Sequence, residues 1–63
     1  MEEDVELRGR IIEPGTAMAV LFEDDGTGLR VYLPRSAIAV VQDVGGAVMV
    51  TMPAWLAKKK GLY

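Results

Sequence analysis

Apolar and charged residues alternate near the start of the chain. From Val5 to Ile11 the odd positions are apolar or small and the even positions are charged. Successive side chains of a strand point to opposite faces, so this pattern predicts a half-buried strand near residues 4–12. The next stretch, Ala17–Glu23, does not alternate: every residue is apolar until the final glutamate. It predicts a strand near residues 17–24 that is covered on both faces.

The middle of the chain predicts a hairpin. The segment Asp24–Gly28 combines two acids with two glycines, which is typical of a tight turn between strands. Alternation resumes after it, and a strand is expected near residues 29–34, where Pro34 ends the ladder because it lacks an N–H. On this strand the residues expected to face inward are Leu29, Val31 and Leu33, and those expected to face outward are Arg30 and Tyr32.

Two more strands and a helix complete the pattern. The apolar segment after Pro34 predicts a strand near residues 36–42, the segment Asp43–Gly46 predicts a turn, and the next apolar run predicts a strand near 47–52. The period then changes, and a helix is expected near residues 53–60.

The C-terminal helix carries its own boundary signals. Pro53 is tolerated in a first helical turn, and Gly61 suits the position just after a helix, where the backbone takes a positive φ. Three lysines at 58–60 fall in the last turn, where the helix dipole favours cations. A helix of about eight residues is not stable alone in water and must pack on the sheet. The residues expected to dock it are Trp55, Leu56 and Leu62.

These elements predict the fold class. Five short strands and one short helix in 63 residues make one domain, residues 1–63, of mostly β structure. The expected architecture is a small five-stranded antiparallel SH3-like barrel, or a curled meander, with a short C-terminal helix.

Composition narrows how such a domain is stabilised and where it works. The chain has no cysteine, and many of its 51% hydrophobic residues are the small Ala and Val, with few aromatics. A chain of this size buries little core on its own, so we expect a homo-oligomer. The acidic start lacks the features of a signal peptide, and no apolar run approaches the roughly 20 residues of a membrane span. The expected location is the cytoplasm.

The residues offer no catalytic or metal site. Without histidine or cysteine, the chain lacks the commonest general base, the commonest nucleophile–base pairs and thiolate metal ligands. Asp24 and Asp25 are adjacent acids, but the spacing of acids in a calcium loop does not follow them. We therefore expect no enzyme, no cofactor and no metal.

Charge is distributed unevenly along the chain. The first 25 residues hold eight acids and two arginines, whereas residues 26–63 hold one acid and five basic residues. Small β-barrels bind single-stranded nucleic acid with a basic groove and exposed aromatic rings. If the first and third strands were neighbours, a basic patch with one aromatic ring would result. This candidate interaction surface comprises Arg8, Arg10, Arg30, Tyr32 and Arg35.

The C-terminal half resembles a group of small proteins of bacteriophages and prophages. The resemblance rests on the segment Val31–Ile38 (VYLPRSAI) and on the ending Val50–Leu62 (VTMPAWLAKKKGL). In that group an aromatic-aliphatic-Pro-basic-Ser segment precedes a Thr-aliphatic-Pro-x-Trp-Leu-Ala-x-x-Lys-Gly-aliphatic ending. This chain has Tyr32 where tryptophan is frequent and Lys58 where an acid is frequent. The resemblance implies a phage accessory protein in the host cytoplasm and transfers no catalytic residue.

Two functions remain after these observations. The first is a non-enzymatic phage-type accessory protein that acts by protein–protein interaction, as an inhibitor or regulator of a host protein, through the open edge of its sheet. The alternative is a weak nucleic-acid-binding accessory protein of phage DNA metabolism. The low isoelectric point of about 4.9 argues against the alternative.

Overall fold

A computed structural model of the chain describes residues 3–12, 14–42 and 44–63. Glu13 and Asp43, which begin two of the expected turns, lie outside the described residues, as does Glu2 of the acidic N-terminus.

Five strands and a short helix make up the described structure, which confirms the mostly-β class. The 3-10 turns Arg35–Ala37 and Val44–Gly46 precede the fourth and fifth strands. The elements are β1 (Asp4–Ile12), β2 (Ala19–Asp24), β3 (Arg30–Pro34), β4 (Ala39–Gln42), β5 (Val48–Pro53) and α1 (Ala54–Lys59).

The strands form one antiparallel sheet in the order β3-β2-β1-β5-β4. The first strand is therefore central, and β3 and β4 are the two edges. No ladder joins these edges within the described residues, so the sheet is an open curled one and not the closed barrel that was the other expectation.

The short connection between the edge strands requires the curling. Only four residues separate Pro34 from Ala39, and three of them form the 3-10 turn. Such a segment spans about 13 Å. In a flat sheet, strands four places apart lie about 19 Å from each other. The two edges must therefore approach each other at this end, which wraps the sheet around its inner face.

The fourth strand is shorter than the sequence predicts. The expected strand near 36–42 begins only at Ala39, because residues 35–37 are needed to carry the chain from one edge of the sheet to the other. The second strand likewise begins at Ala19 and not at residue 17, because the preceding loop folds on Thr16, whose hydroxyl accepts from Ala19 N–H at 2.9 Å.

The core lies on the concave face of the sheet. Its fully buried side chains come from the even positions of β2 and β5 and the odd positions of β3, with α1 and Leu62 covering one end. The buried apolar residues are Val20, Phe22, Leu33, Val48, Val50, Met52, Leu56, Ala57 and Leu62. Of the third-strand residues, Leu33 is buried and Val31 half-buried, while Arg30 and Tyr32 are exposed as predicted; Leu29 precedes the strand and is exposed.

The end of α1 forms as the sequence predicts. Gly61 has φ +77° and its N–H donates to Lys58 O at 3.1 Å, while Leu62 N–H donates to Ala57 O at 2.9 Å. These two hydrogen bonds define a Schellman motif, which places the side chain of Leu62 back on the core.

Trp55 does not dock the helix as expected. Leu56 and Leu62 lie in the core, but Trp55 keeps 48% of its surface exposed and is outside the buried cluster. The helix is only six residues long, so one narrow face meets the sheet, and Leu56 and Ala57 occupy it. Adjacent residues are about 100° apart on a helix, which turns Trp55 toward the side.

Candidate functional site

The hydrogen-bonding direction of each strand follows from two bonds at the β2–β3 hairpin. Asp24 N–H donates to Leu29 O at 2.9 Å, so the even residues of β2 bond to β3. Asp25 N–H donates to Arg8 O at 3.0 Å, so the even residues of β1 bond to β2. Backbone groups of successive residues in a strand point to opposite sides. The odd residues of β1 must therefore bond to β5.

The same alternation identifies the backbone groups at the free edge of β4. The even residues of β5 face β1, so its odd residues face β4, where their partners are Ala39 and Val41. The amides and carbonyls of Val40 and Gln42 consequently point away from the sheet. No other described strand bonds to them. The edge of β4 thus presents two N–H donors and two C=O acceptors in the spacing of a strand ladder.

The side chains of β4 leave this edge unprotected. All four of its residues are exposed and none is charged, and Val40 and Val41 keep 45% and 61% of their surface exposed. Natural edge strands usually carry charges, proline or bulges that prevent pairing with another chain. The strand β4 has no charge and no proline, and its register with β5 contains no bulge; its one protective feature is its length of four residues.

The other edge, β3, carries such protection. Its outward-facing backbone groups belong to Arg30, Tyr32 and Pro34, by the same alternation. Pro34 has no N–H to offer, and Arg30 places a charge at the opposite end. Both edges expose two N–H donors, but β3 carries the charge of Arg30 and ends at Pro34, whereas β4 has neither a charge nor a proline.

A cavity of about 430 Å³ opens beside β4 on the concave face. The side chains of Val40 and Gln42 lie on this face, because they stand opposite the buried Val50 and Val48. The cavity has a mixed lining in which polar surface slightly exceeds apolar surface. Its only charged lining side chain among the described residues is an arginine. The lining side chains that matter here are Ile11, Val20, Val40, Val48, Gln42 and Arg35.

Arg35 is held in place by the loop before β2. Its backbone N–H donates to Met18 O at 2.9 Å, and its Nε and Nη2 donate to Thr16 O at 3.2 and 2.9 Å. A guanidinium has five N–H donors. These two bonds therefore leave donors available while they fix the direction of the side chain at the cavity wall.

The five residues of the predicted interaction surface do not form one basic patch. The strands β1 and β3 are separated by β2, and Glu23 stands between Arg10 and Arg30 in the register. Arg30 Nε lies 3.2 Å from Glu23 Oε2. Arg35 lies outside the sheet, where its side chain donates to Thr16 O and lines the cavity.

The convex face is electrically balanced as a whole. Arg8 and Arg10 lie on it, as do Arg30 and Tyr32, but three acids share the same face. Its charged members are Asp4, Glu6, Arg8, Arg10, Glu23 and Arg30. With three of each sign, the face lacks the positive potential that attracts a phosphate backbone.

Two further exposed aromatic rings belong to the C-terminal segment. Trp55 and Tyr63 are both exposed, and Lys58 Nζ lies 5.8 Å from the centroid of the Tyr63 ring. Two of the three lysines fall in the last turn of α1, which fits the favourable interaction of cations with a helix C-terminus.

The acidic hairpin residues serve the turn. Asp24 is only 3% exposed, and its Oδ2 accepts from Thr27 N–H at 2.8 Å and from the Thr27 hydroxyl at 2.9 Å. No group of three acidic side chains that could hold a metal ion occurs in residues 3–12, 14–42 and 44–63. The same ranges contain no helix long and apolar enough to cross a membrane.

Sequence reasoning did not identify the residues that define the open edge and its cavity. Val40 lies within an apolar run and Gln42 follows directly after it, and their significance depends on which strands lie at the edges of the sheet. The one available signal was the lack of charge or proline from Ile38 to Gln42.

Comparisons with known proteins identify no relative. No protein-family model matches the sequence, no curated protein is detectably similar to it, and no solved structure is detectably similar to its fold. The function must therefore be argued from the geometry.

Proposed function

We propose that the protein is a non-enzymatic binding module that recognises another protein by accepting one of its extended segments at the edge of β4. The observation that carries the proposal is the contrast between the two edges: β3 carries the charge of Arg30 and ends at Pro34, which lacks an N–H, whereas β4 is uncharged and exposes the backbone groups of Val40 and Gln42. Addition of a strand to an open edge is a common mode of peptide recognition.

The resemblance of the C-terminal half to phage and prophage proteins supports a biological setting for this binding. In that setting the module acts in the host cytoplasm and occupies a host protein, whose activity it inhibits or regulates. Binding at a sheet edge suits this role because it needs only an extended segment in the partner and no matching enzyme chemistry.

The same edge accounts for the expected self-association. In the absence of a partner, β4 pairs with β4 of a second copy about a two-fold axis, because the strand has no charge that self-pairing would bring into opposition. The host segment and the second copy then compete for one edge.

Nucleic-acid binding is the alternative function, and the geometry gives it less support. The arginines expected to form its groove are interleaved with acids on the convex face, and Arg30 is paired with Glu23. Any binding to an oligonucleotide should be judged at low salt, because phosphate contacts weaken steeply as salt rises.

Co-purification from host lysate with three tagged forms of the protein tests the proposal. The wild type is compared with Val40→Pro, which removes an outward N–H and leaves the β4–β5 ladder intact. The matched control is Val40→Thr, which keeps the N–H and the branched shape. We expect one stoichiometric partner with the wild type and with Val40→Thr, and its loss with Val40→Pro.

A second edge variant keeps the test valid if Val40→Pro does not fold. Val41→Lys adds a charge to the exposed strand without changing its hydrogen bonds, and an edge lysine discourages pairing. Both edge variants must keep the wild-type circular dichroism spectrum. A partner that remains bound to both, or an oligonucleotide bound more tightly than any protein, contradicts the proposal.

A further inference from the structure

We infer that the cavity beside β4 selects the segment that binds there: the partner strand carries aliphatic side chains at alternate positions and a carboxylate on the same face. This inference rests on the proposed strand addition and states its specificity. The juxtaposition behind it is an open backbone edge, a cavity with both aliphatic and polar lining, and one fixed arginine; Val40 and Gln42 belong both to the edge and to the cavity lining.

The geometry of strand pairing determines where the partner's side chains go. Val40 and Gln42 bond outward through their backbone, and their own side chains lie on the concave face. A residue paired directly opposite either of them places its side chain on that same face, about 4.5–5.5 Å away between Cβ atoms. Every second residue of an added strand therefore projects toward the cavity.

The cavity lining indicates which side chains fit. Ile11, which is half-buried, and Val40, which is exposed, provide the aliphatic part of the lining, and the volume of about 430 Å³ lies in the usual range for ligand pockets. Branched aliphatic side chains match this surface and also favour an extended backbone. Alternate aliphatic residues in the partner strand follow from these two requirements.

Arg35 adds the charge requirement. It is the only charged side chain that lines the cavity among the described residues, and its bonds to Thr16 O hold it at the wall. A guanidinium pairs with a carboxylate through two parallel N–H bonds. The segment that binds therefore carries an aspartate, a glutamate or its own C-terminal carboxylate on the cavity side.

Three synthetic peptides test this specificity by fluorescence anisotropy. The parent, acetyl-KTVTVTEK-amide with a fluorescent label, places two valines and the glutamate on one face of a strand. One variant replaces both valines by serine, and the other replaces the glutamate by glutamine. We expect the serine peptide to bind at least about tenfold more weakly, since a buried aliphatic side chain contributes that much or more. The glutamine peptide is expected to bind about threefold to tenfold more weakly, with the difference shrinking as salt rises.

Protein variants assign the glutamate preference to Arg35. Arg35→Gln should bind the glutamate and glutamine peptides equally, and Arg35→Lys should keep part of the preference because it keeps the charge. The matched control Arg30→Gln removes one positive charge from the convex face, so it should leave the ratio of the two affinities unchanged. This ratio is insensitive to a general loss of stability in any variant.

The outcomes separate the two levels of the proposal. Equal binding of all three peptides, with loss in Val40→Pro, overturns the stated specificity and leaves strand addition standing. Binding of the parent peptide that Val40→Pro does not weaken overturns strand addition itself. No binding of the parent peptide at about 1 mM, where even a weak complex would form, overturns the specificity, and the co-purification experiment then judges strand addition separately.

Discussion

Single residues with no chemical reactivity have strict structural roles in this protein. Gly9 occupies an inward position of β1 opposite Asp24, and it is buried. A Cβ at this position would collide with the carbonyl oxygen of Glu23 and lie 2.8 Å from a carbon of the Phe22 ring. The sequence pattern predicted that Gly9 faces inward, but the need for glycine comes from the close approach of β2 and could not be seen in the pattern.

Gly9→Ala tests this close approach. Because the obstacle is backbone, the neighbouring strand must shift, and we expect a loss of about 1–3 kcal/mol in the free energy of unfolding, the usual range for overpacking. Urea denaturation measures the change. Gly26→Ala is the matched control, since its nearest neighbour is a side-chain oxygen at 3.3 Å. Equal stability of Gly9→Ala and the wild type would contradict the packing described for β1 and β2.

Asp24 illustrates a residue whose type was predicted and whose burial was not. The acidic-glycine segment predicted a turn, and the structure shows that the carboxylate is buried and organises the turn through Thr27. Asp24→Ala leaves the Thr27 N–H without its acceptor, and we expect a cost of about 1–3 kcal/mol. Thermal denaturation compares this variant with Asp25→Ala, which alters an exposed residue and should change stability little. Similar losses in both variants would show that the turn does not depend on Asp24.

At the scale of elements, local sequence signals predicted where strands and the helix begin and end. They did not predict which face of the helix packs on the sheet. The strand near residues 4–12 coincides with β1, because the alternation from Val5 to Ile11 covers all but its two end residues. The phase of α1 could not be predicted, because Trp55 and Leu56 are adjacent and either could face the sheet. The direction is set by the direct junction with β5, whose last residue, Pro53, immediately precedes the helix.

A pair of substitutions in α1 tests this phase. Leu56 is 3% exposed, so Leu56→Ala should cost about 2–5 kcal/mol, as is usual for truncating a buried leucine. Trp55→Ala should cost less than about 1 kcal/mol, because the ring is half exposed and outside the core. Chemical denaturation of both variants gives the comparison. A larger loss for Trp55→Ala than for Leu56→Ala would reverse the orientation of the helix.

The whole molecule is best understood as a curled sheet with one protected and one open edge. Local patterns predicted five strands and antiparallel pairing, but the order β3-β2-β1-β5-β4 depends on long-range contacts that no local pattern contains. The predicted basic surface does not form, because β2 lies between the two strands that carry most of its residues. The open edge of β4 and its cavity emerge only at this scale.

Self-association provides a prediction at the same scale. Sedimentation velocity of the wild type at rising concentration should show a dimer, and Val40→Pro should remain a monomer because it lacks one outward N–H. Tyr32→Ser is the control, since it alters the other edge strand and should leave the dimer intact. A monomeric wild type at about 100 μM would remove self-pairing from the account, because a complex with a dissociation constant in the micromolar range would be formed there.

Amide hydrogen exchange tests the central claim most directly. In the free monomer, the N–H groups of Val40 and Gln42 should exchange rapidly while that of Val41 is protected by β5, because successive residues of β4 face opposite sides. When the captured partner or a second copy is bound, Val40 and Gln42 should become protected and β3 should change little. Unchanged exchange at Val40 and Gln42 in the complex would show that the edge of β4 is not the binding surface.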